Sequence, residues 1–237
     1  MQLINSGNEI PAIPAILAIP PIVAIHARTE WRRFSMHSWV RPFTEWRIYR
    51  QWILAGRPIP APPLVKQRIL KSYLSRFRLR TVVETGTFTG ETVEALRTRA
   101  QRVISIELEP ALHAAAARRF AGAPNVTLLQ GDSTALLPQI VNTLETPALV
   151  WLDGHYAGAG TAGVGDSPLL QEVQALLARE PRGDVVLIDD ARQLTGNDGY
   201  VGLEQLLALI RTSRPHAEVF VADDIIRWID RALPESP

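Results

Sequence analysis

Four acidic residues stand where successive β-rich runs end: Glu84, Glu107, Asp132 and Asp153. The first belongs to Glu84-Thr85-Gly86-Thr87-Phe88-Thr89-Gly90, which closes the run 81–85 and opens into a helical pattern from Glu91. A loop of this make-up suits a nucleotide-like ligand. Gly86 allows a tight turn and close backbone approach, Gly90 lets the helix pack closely on the sheet, and the threonines bring hydroxyls to the helix N-terminus. The dinucleotide pattern G-x-G-x-x-G is not met, because Glu84 takes the place of its first glycine and the remaining two stand four apart. A carboxylate there repels a pyrophosphate, yet accepts hydrogen bonds from an ammonium group such as that of methionine. Short glycine loops also arise as ordinary strand-to-helix turns, so the loop alone does not decide the chemistry.

Glu107 follows Glu84 by 23 residues, near the ~20-residue interval of a ribose-binding acid in such a unit. After the next run comes Gly131-Asp132-Ser133, where Asp132 either accepts from an adenine amino group or caps the following helix, and Ser133 is itself a capping residue. Further on lie Asp153-Gly154-His155 and the pair Asp189-Asp190. Three carboxylates on neighbouring strand ends form a hard oxygen set suited to Mg²⁺. The alternative is that Asp189 and Asp190 only serve a turn and His155 orders the glycine-rich loop after it. That loop, 154–165, is a candidate lid that closes over the acceptor together with 190–200 and the basic segment before residue 64.

These residues need a scaffold that brings them to one edge. Runs at 81–85, 102–107, 125–129, 148–153, 184–189 and 217–222 alternate with helical patterns at 91–99, 110–121, 133–144, 168–179 and 202–212. Such alternation predicts βαβ units and a mostly parallel sheet with helices on both faces, whose carboxyl edge holds the ligand. Only Asp223 and Asp224 separate 217–222 from the run 225–229. Two residues cannot carry a crossover helix, so the seventh strand returns antiparallel. Before the first strand, Val65, Ile69, Tyr73, Leu74 and Phe77 mark an amphipathic helix with its Lys and Arg on the opposite face.

The chain is divided into an N-terminal arm and basic cap, 1–63, and a sheet domain, 64–237. The arm, 10–25, is apolar, but its prolines and its length, short of the ~20 residues of a span, argue against a transmembrane segment or a signal peptide. It reads as an extended arm that packs on the domain or on a second subunit of a homo-oligomer. Trp31, Trp39, Trp46 and Trp52 interleave with arginines, as a small core or as a surface for bases or a membrane interface. Residues 28–80 hold thirteen Lys and Arg against Glu30 and Glu45 alone. This excess suggests either an anionic partner or a solvated basic face. Without cysteine the chain has no disulfide, thiolate metal site or cysteine nucleophile. That composition fits a cytoplasmic protein, peripheral at a membrane if the cap binds one.

From residue 65 onward the sequence resembles the class I S-adenosylmethionine (SAM) dependent methyltransferases, through Glu84 to Gly90, Glu107, Asp132 and the terminal hairpin. The resemblance implies a Rossmann-like fold. It also implies SAM bound by Glu84, Thr85, Gly86, Thr87, Gly90, Glu107, Asp132 and Ser133, with Asp153 serving SAM, the acceptor or a metal. The second half is similar to metal-dependent O-methyltransferases of small sugar or catechol-type acceptors, which would make Asp153, Asp189 and Asp190 ligands of Mg²⁺. His155, two residues beyond Asp153, is the expected general base for the acceptor hydroxyl. The catechol-type members use a lysine near this site, whereas Lys66 and Lys71 lie far upstream here, so that mechanism does not carry over directly. Three other readings stand beside small-molecule methyl transfer: a nicotinamide-dependent oxidoreductase, a nucleic-acid methyltransferase, and a non-catalytic module that binds nucleotides or anionic surfaces.

Overall fold

The computed structural model describes residues 37–154, 168–197 and 201–231, with side chains from residue 43 onward. The described residues from Trp39 onward cluster as one unit. Seven strands form its sheet: β1 (Thr81–Thr85), β2 (Arg102–Glu107), β3 (Val126–Gln130), β4 (Ala148–Leu152), β5 (Val185–Ile188), β6 (Glu218–Ala222) and β7 (Ile225–Ile229). Their order is β3-β2-β1-β4-β5-β7-β6. The first five run parallel, and β7 is antiparallel to both of its neighbours. This is the Rossmann-like sheet with a reversed C-terminal strand that the alternation and the two-residue connection predict. Asp223 and Asp224 adopt φ of 56° and 65°, the left-handed pair that a tight hairpin turn requires.

The central strands are apolar throughout because helices cover both faces. Alternate residues feed two cores. Val83, Val150, Val186 and Trp228 face α5 (Ser133–Asn142), α6 (Pro168–Leu177) and α7 (Leu203–Ser213). Val82, Leu149, Leu187 and Ile229 face α2 (Pro63–Arg76), α3 (Glu91–Arg97) and α4 (Pro110–Arg119). Val83, Leu149 and Val150 are fully buried, each contributing roughly 1.5–3 kcal/mol relative to exposure.

The preceding segment forms α1 (His37–Leu54), where the sequence offers aromatic and basic residues without a clear helical stripe. Trp52 is buried against Ala61 and Val65, and its indole N–H donates to the Pro58 carbonyl at 2.9 Å. Trp46 is 48% exposed. No helix among the described residues is long and apolar enough to cross a membrane.

Candidate functional site

Parallel pairing brings the ends of β1, β2, β4 and β5 to one edge, with Thr85 beside both Ile106 and Leu152, and Leu152 beside Ile188. The acidic residues expected at strand ends gather there. Glu84 lies opposite Ser105 of β2 and Trp151 of β4, only 2% exposed. The Ser105 hydroxyl donates to Glu84 Oε2 at 2.5 Å and also contacts Thr87 Oγ1 at 2.6 Å. Burial pushes the Glu84 carboxyl up to about 8, against the opposing hydrogen bonds of Ser105 and Thr92. A buried acid with hydroxyl partners and no basic side chain against it has its charged form uncompensated. Ser105 carries no signal in the sequence, since its role follows only from strand register.

The loop after β1 is shaped by its glycines. Gly86 has φ +85°, and a Cβ there would lie 2.9 Å from both the Asp153 carbonyl oxygen and Gly154 Cα. Close approach at Gly86 therefore serves the β4 end as well as any ligand. Gly90, with φ +76°, would place a Cβ 2.6 Å from the Phe120 ring, so the tight helix packing expected of it is made against the end of α4. Thr85 and Thr87 are both buried. The Glu107 carboxylate accepts from the Phe88 amide at 2.7 Å and the Glu109 amide at 3.0 Å. Two backbone donors hold it at the mouth of the loop, each oxygen retaining capacity for a further donor.

Of the two roles open to Asp132, the structure shows capping. Its Oδ1 accepts from the Thr134 amide and hydroxyl, each at 2.8 Å. The cap of α5 is thus Asp132, and Ser133 is its first helical residue rather than the cap expected from the sequence. Asp132 is exposed, and its second oxygen carries no bond among the described residues. Beside Ser133 and Thr85 lies Glu172 of α6, fully buried, with no completed hydrogen bond to either carboxylate oxygen. Burial raises its carboxyl to about 7, although the Ser133 and Thr85 hydroxyls draw it down.

The acidic group farther along the edge has a different make-up from the one expected. Lys66, near the start of α2, places its ammonium against Asp189 Oδ2 and 3.4 Å from Asp190 Oδ1. Burial works against its charge, but Asp189, Asp190 and Asp153 together raise its pKa. Asp153 is held well above the usual carboxylate range by burial and by the neighbouring Asp189 charge. Asp189 Oδ1 is buried without a donor among the described residues. Asp190, at φ 53°, precedes a short 3-10 turn over Ala191–Gln193. It accepts from Arg192 at 2.8 Å and from Gln193 at 2.9 Å. Arg192 also pairs with Asp224 of the hairpin turn.

This donor set is a poor fit for Mg²⁺, which completes its octahedron with waters around one or two carboxylates that are not already paired with cations. Two of the three expected ligands already hold an ammonium, and Asp190 is further occupied by a guanidinium. The expected solvent-facing role of the α2 cations also fails at Lys66. Its side chain is 18% exposed because α2 lies over the site edge. His155, the expected base, lies outside the described residues, as do most of the loop 154–165, part of 190–200, and the arm. A separate cavity of about 250 Å³ lined by Arg214, His216 and Arg231 lies at the opposite sheet edge, where β5 and β6 begin. It is remote from these acids.

No protein-family model matches this chain, and no curated protein is significantly similar to it in sequence. Its fold is that of solved methyltransferases. An O-methyltransferase from Bacillus cereus in complex with S-adenosylhomocysteine (SAH) superposes with a TM-score of 0.53 at 18% identity, over 80% of this chain and 91% of the other. The SAH-bound methyltransferase PaMTH1 of Podospora anserina superposes with a TM-score of 0.51 at 16% identity, over 86% and 98%.

Proposed function

We propose that the protein is a SAM-dependent methyltransferase acting on a hydroxyl oxygen of a small acceptor. The observation that carries this reading is Glu84: a buried carboxyl at the end of β1, beside a glycine turn, with no cation against it among the described residues. An amino-acid ammonium is the ligand group that completes it by drawing out the carboxylate, whereas the pyrophosphate of a dinucleotide finds no countercharge there. Glu107, fixed by two amides, suits a pair of ribose hydroxyls, and the free oxygen of Asp132 suits an adenine amino group. The fold neighbours that hold SAH support the same ligand.

When bound, SAM supplies an electrophilic methyl carbon, whose bond to sulfur breaks with the electron pair left on sulfur as the acceptor oxygen forms its new bond. The chain's contribution is alignment and charge. Glu84, Glu107 and the turn at Gly86 fix the donor, and the acidic group at Asp153, Asp189 and Asp190 with Lys66 lies beyond it along the edge as the acceptor side. In this reading His155 takes the hydroxyl proton. Placement of reactants in this way lowers a barrier by several kcal/mol or more, roughly 7–11 in the best cases. The test is turnover: the protein is incubated with SAM and a small-molecule extract, and products are read by mass spectrometry. Formation of SAH together with a metabolite heavier by one methylene is expected. Enzyme-dependent SAH formation confined to RNA or protein acceptors would overturn the small-acceptor assignment.

A further inference from the structure

In the acidic group at the ends of β4 and β5, Asp189 and Asp190 are already paired with cations of the chain itself. Lys66 meets Asp189 and Asp190, and Arg192 bridges Asp190 and Asp224. Asp223 beside them is paired twice, with Arg57 at 2.7 Å and Arg227 at 2.6 Å. Asp189, Asp190, Asp223 and Asp224 thus face four cations, and Asp153 is the one carboxylate of this group without an ion pair among the described residues. A divalent ion added to this set would meet an ammonium and a guanidinium at close range, with only Asp153 left to offset its desolvation.

We propose that Lys66 stands in the place of a divalent cation, so that this site works without a metal and presents an ammonium N–H to a ligand oxygen. The proposal rests on the methyltransferase reading for the identity of the site, but on geometry for the role of Lys66. Two of the three ammonium donors engage Asp189 and Asp190, and the third has no protein partner among the described residues. A point charge with one free donor seats a single oxygen, whereas an octahedral ion favours a chelating pair. Arg192 and the hairpin turn hold the arrangement, because Asp224 accepts from the Arg192 amide at 2.8 Å and its carbonyl accepts from the Ala191 amide at 2.9 Å.

The experiment is direct titration with Mn²⁺, followed by electron paramagnetic resonance, on the full chain and on Lys66→Met and Lys66→Gln. SAM calorimetry and thermal melting accompany each protein. The wild type is expected to show no Mn²⁺ binding below about 1 mM, and the Lys66 variants to bind at least about tenfold more tightly, the effect of removing one close positive charge. Adding Asp190→Asn to Lys66→Met should abolish that gain. Wild-type binding in the micromolar range, or no gain in a Lys66 variant that melts cooperatively, overturns the proposal. If both variants fail to fold, the wild-type titration alone decides. Loss of SAM binding in every protein, wild type included, would instead sink the methyltransferase reading and leave the Mn²⁺ comparison interpretable.

Discussion

At the residue scale, two buried acids make predictions that do not depend on knowing the acceptor. Glu84 is protonated at neutral pH in the free protein, since burial holds its carboxyl at about 8. An incoming ammonium favours the carboxylate, so SAM binding at pH 7 should release a proton from this site. Calorimetry in two buffers of different ionisation enthalpy should show it, and Glu84→Gln should abolish the release. Glu172 has its carboxyl raised from an ordinary 4.5 to about 7, so the neutral form is favoured by folding. Its stabilising share is complete below pH 4.5 and is lost as pH rises through 7. Glu172→Gln should therefore raise stability at pH 8 by about 2 kcal/mol, with no gain at pH 4, measured by thermal or urea denaturation. No gain at pH 8 would mean that the carboxylate finds a partner in solution. The positions of Glu84, Glu107 and Asp132 were legible because each ends a β-rich run. Ser105, Glu172 and Lys66 were not, because each acts through a neighbour remote in sequence. Lys66 precedes Asp153 by 87 residues, and only the packing of α2 on the sheet brings it to the carboxylates.

At the scale of elements, strands were the easiest to read. β1, β2 and β7 begin and end where the β-rich runs do, because buried strands carry unbroken apolar runs with sharp polar ends. The hairpin was legible for a covalent reason, namely that two residues cannot span a crossover. α1 was not, since its aromatic and arginine residues lie on both faces: Tyr49 and Trp52 turn toward α2 while Phe43 and Trp46 remain exposed. Trp52 is the largest side chain in this small cluster and donates a hydrogen bond to the Pro58 carbonyl. Trp52→Ala should cost about 3 kcal/mol in urea denaturation. SAM affinity should stay within about twofold, because no residue of α1 lies among the strand-end acids. A large loss of SAM affinity in the folded variant would show that α1 helps build the cofactor site.

At the scale of the whole molecule, the charge asymmetry of the sequence has in part an internal explanation. The basic stretch 28–80 sends Arg57 to Asp223 and Lys66 to Asp189 and Asp190, so some of its excess meets the acidic edge of the sheet instead of an external anion. The fold class followed from alternation alone. The chemistry of its second half did not, because the residue types suited a metal while their three-dimensional partners are cations. SAM binding at the first half of the edge is checked by calorimetric titration of SAM and of NAD into the purified protein. One SAM site is expected, with a dissociation constant on the order of 1–100 µM, displaced by SAH and weakened by Glu107→Ala, with no NAD binding in that range. Saturable NAD binding lost in Glu107→Ala, with no heat from SAM, would contradict it.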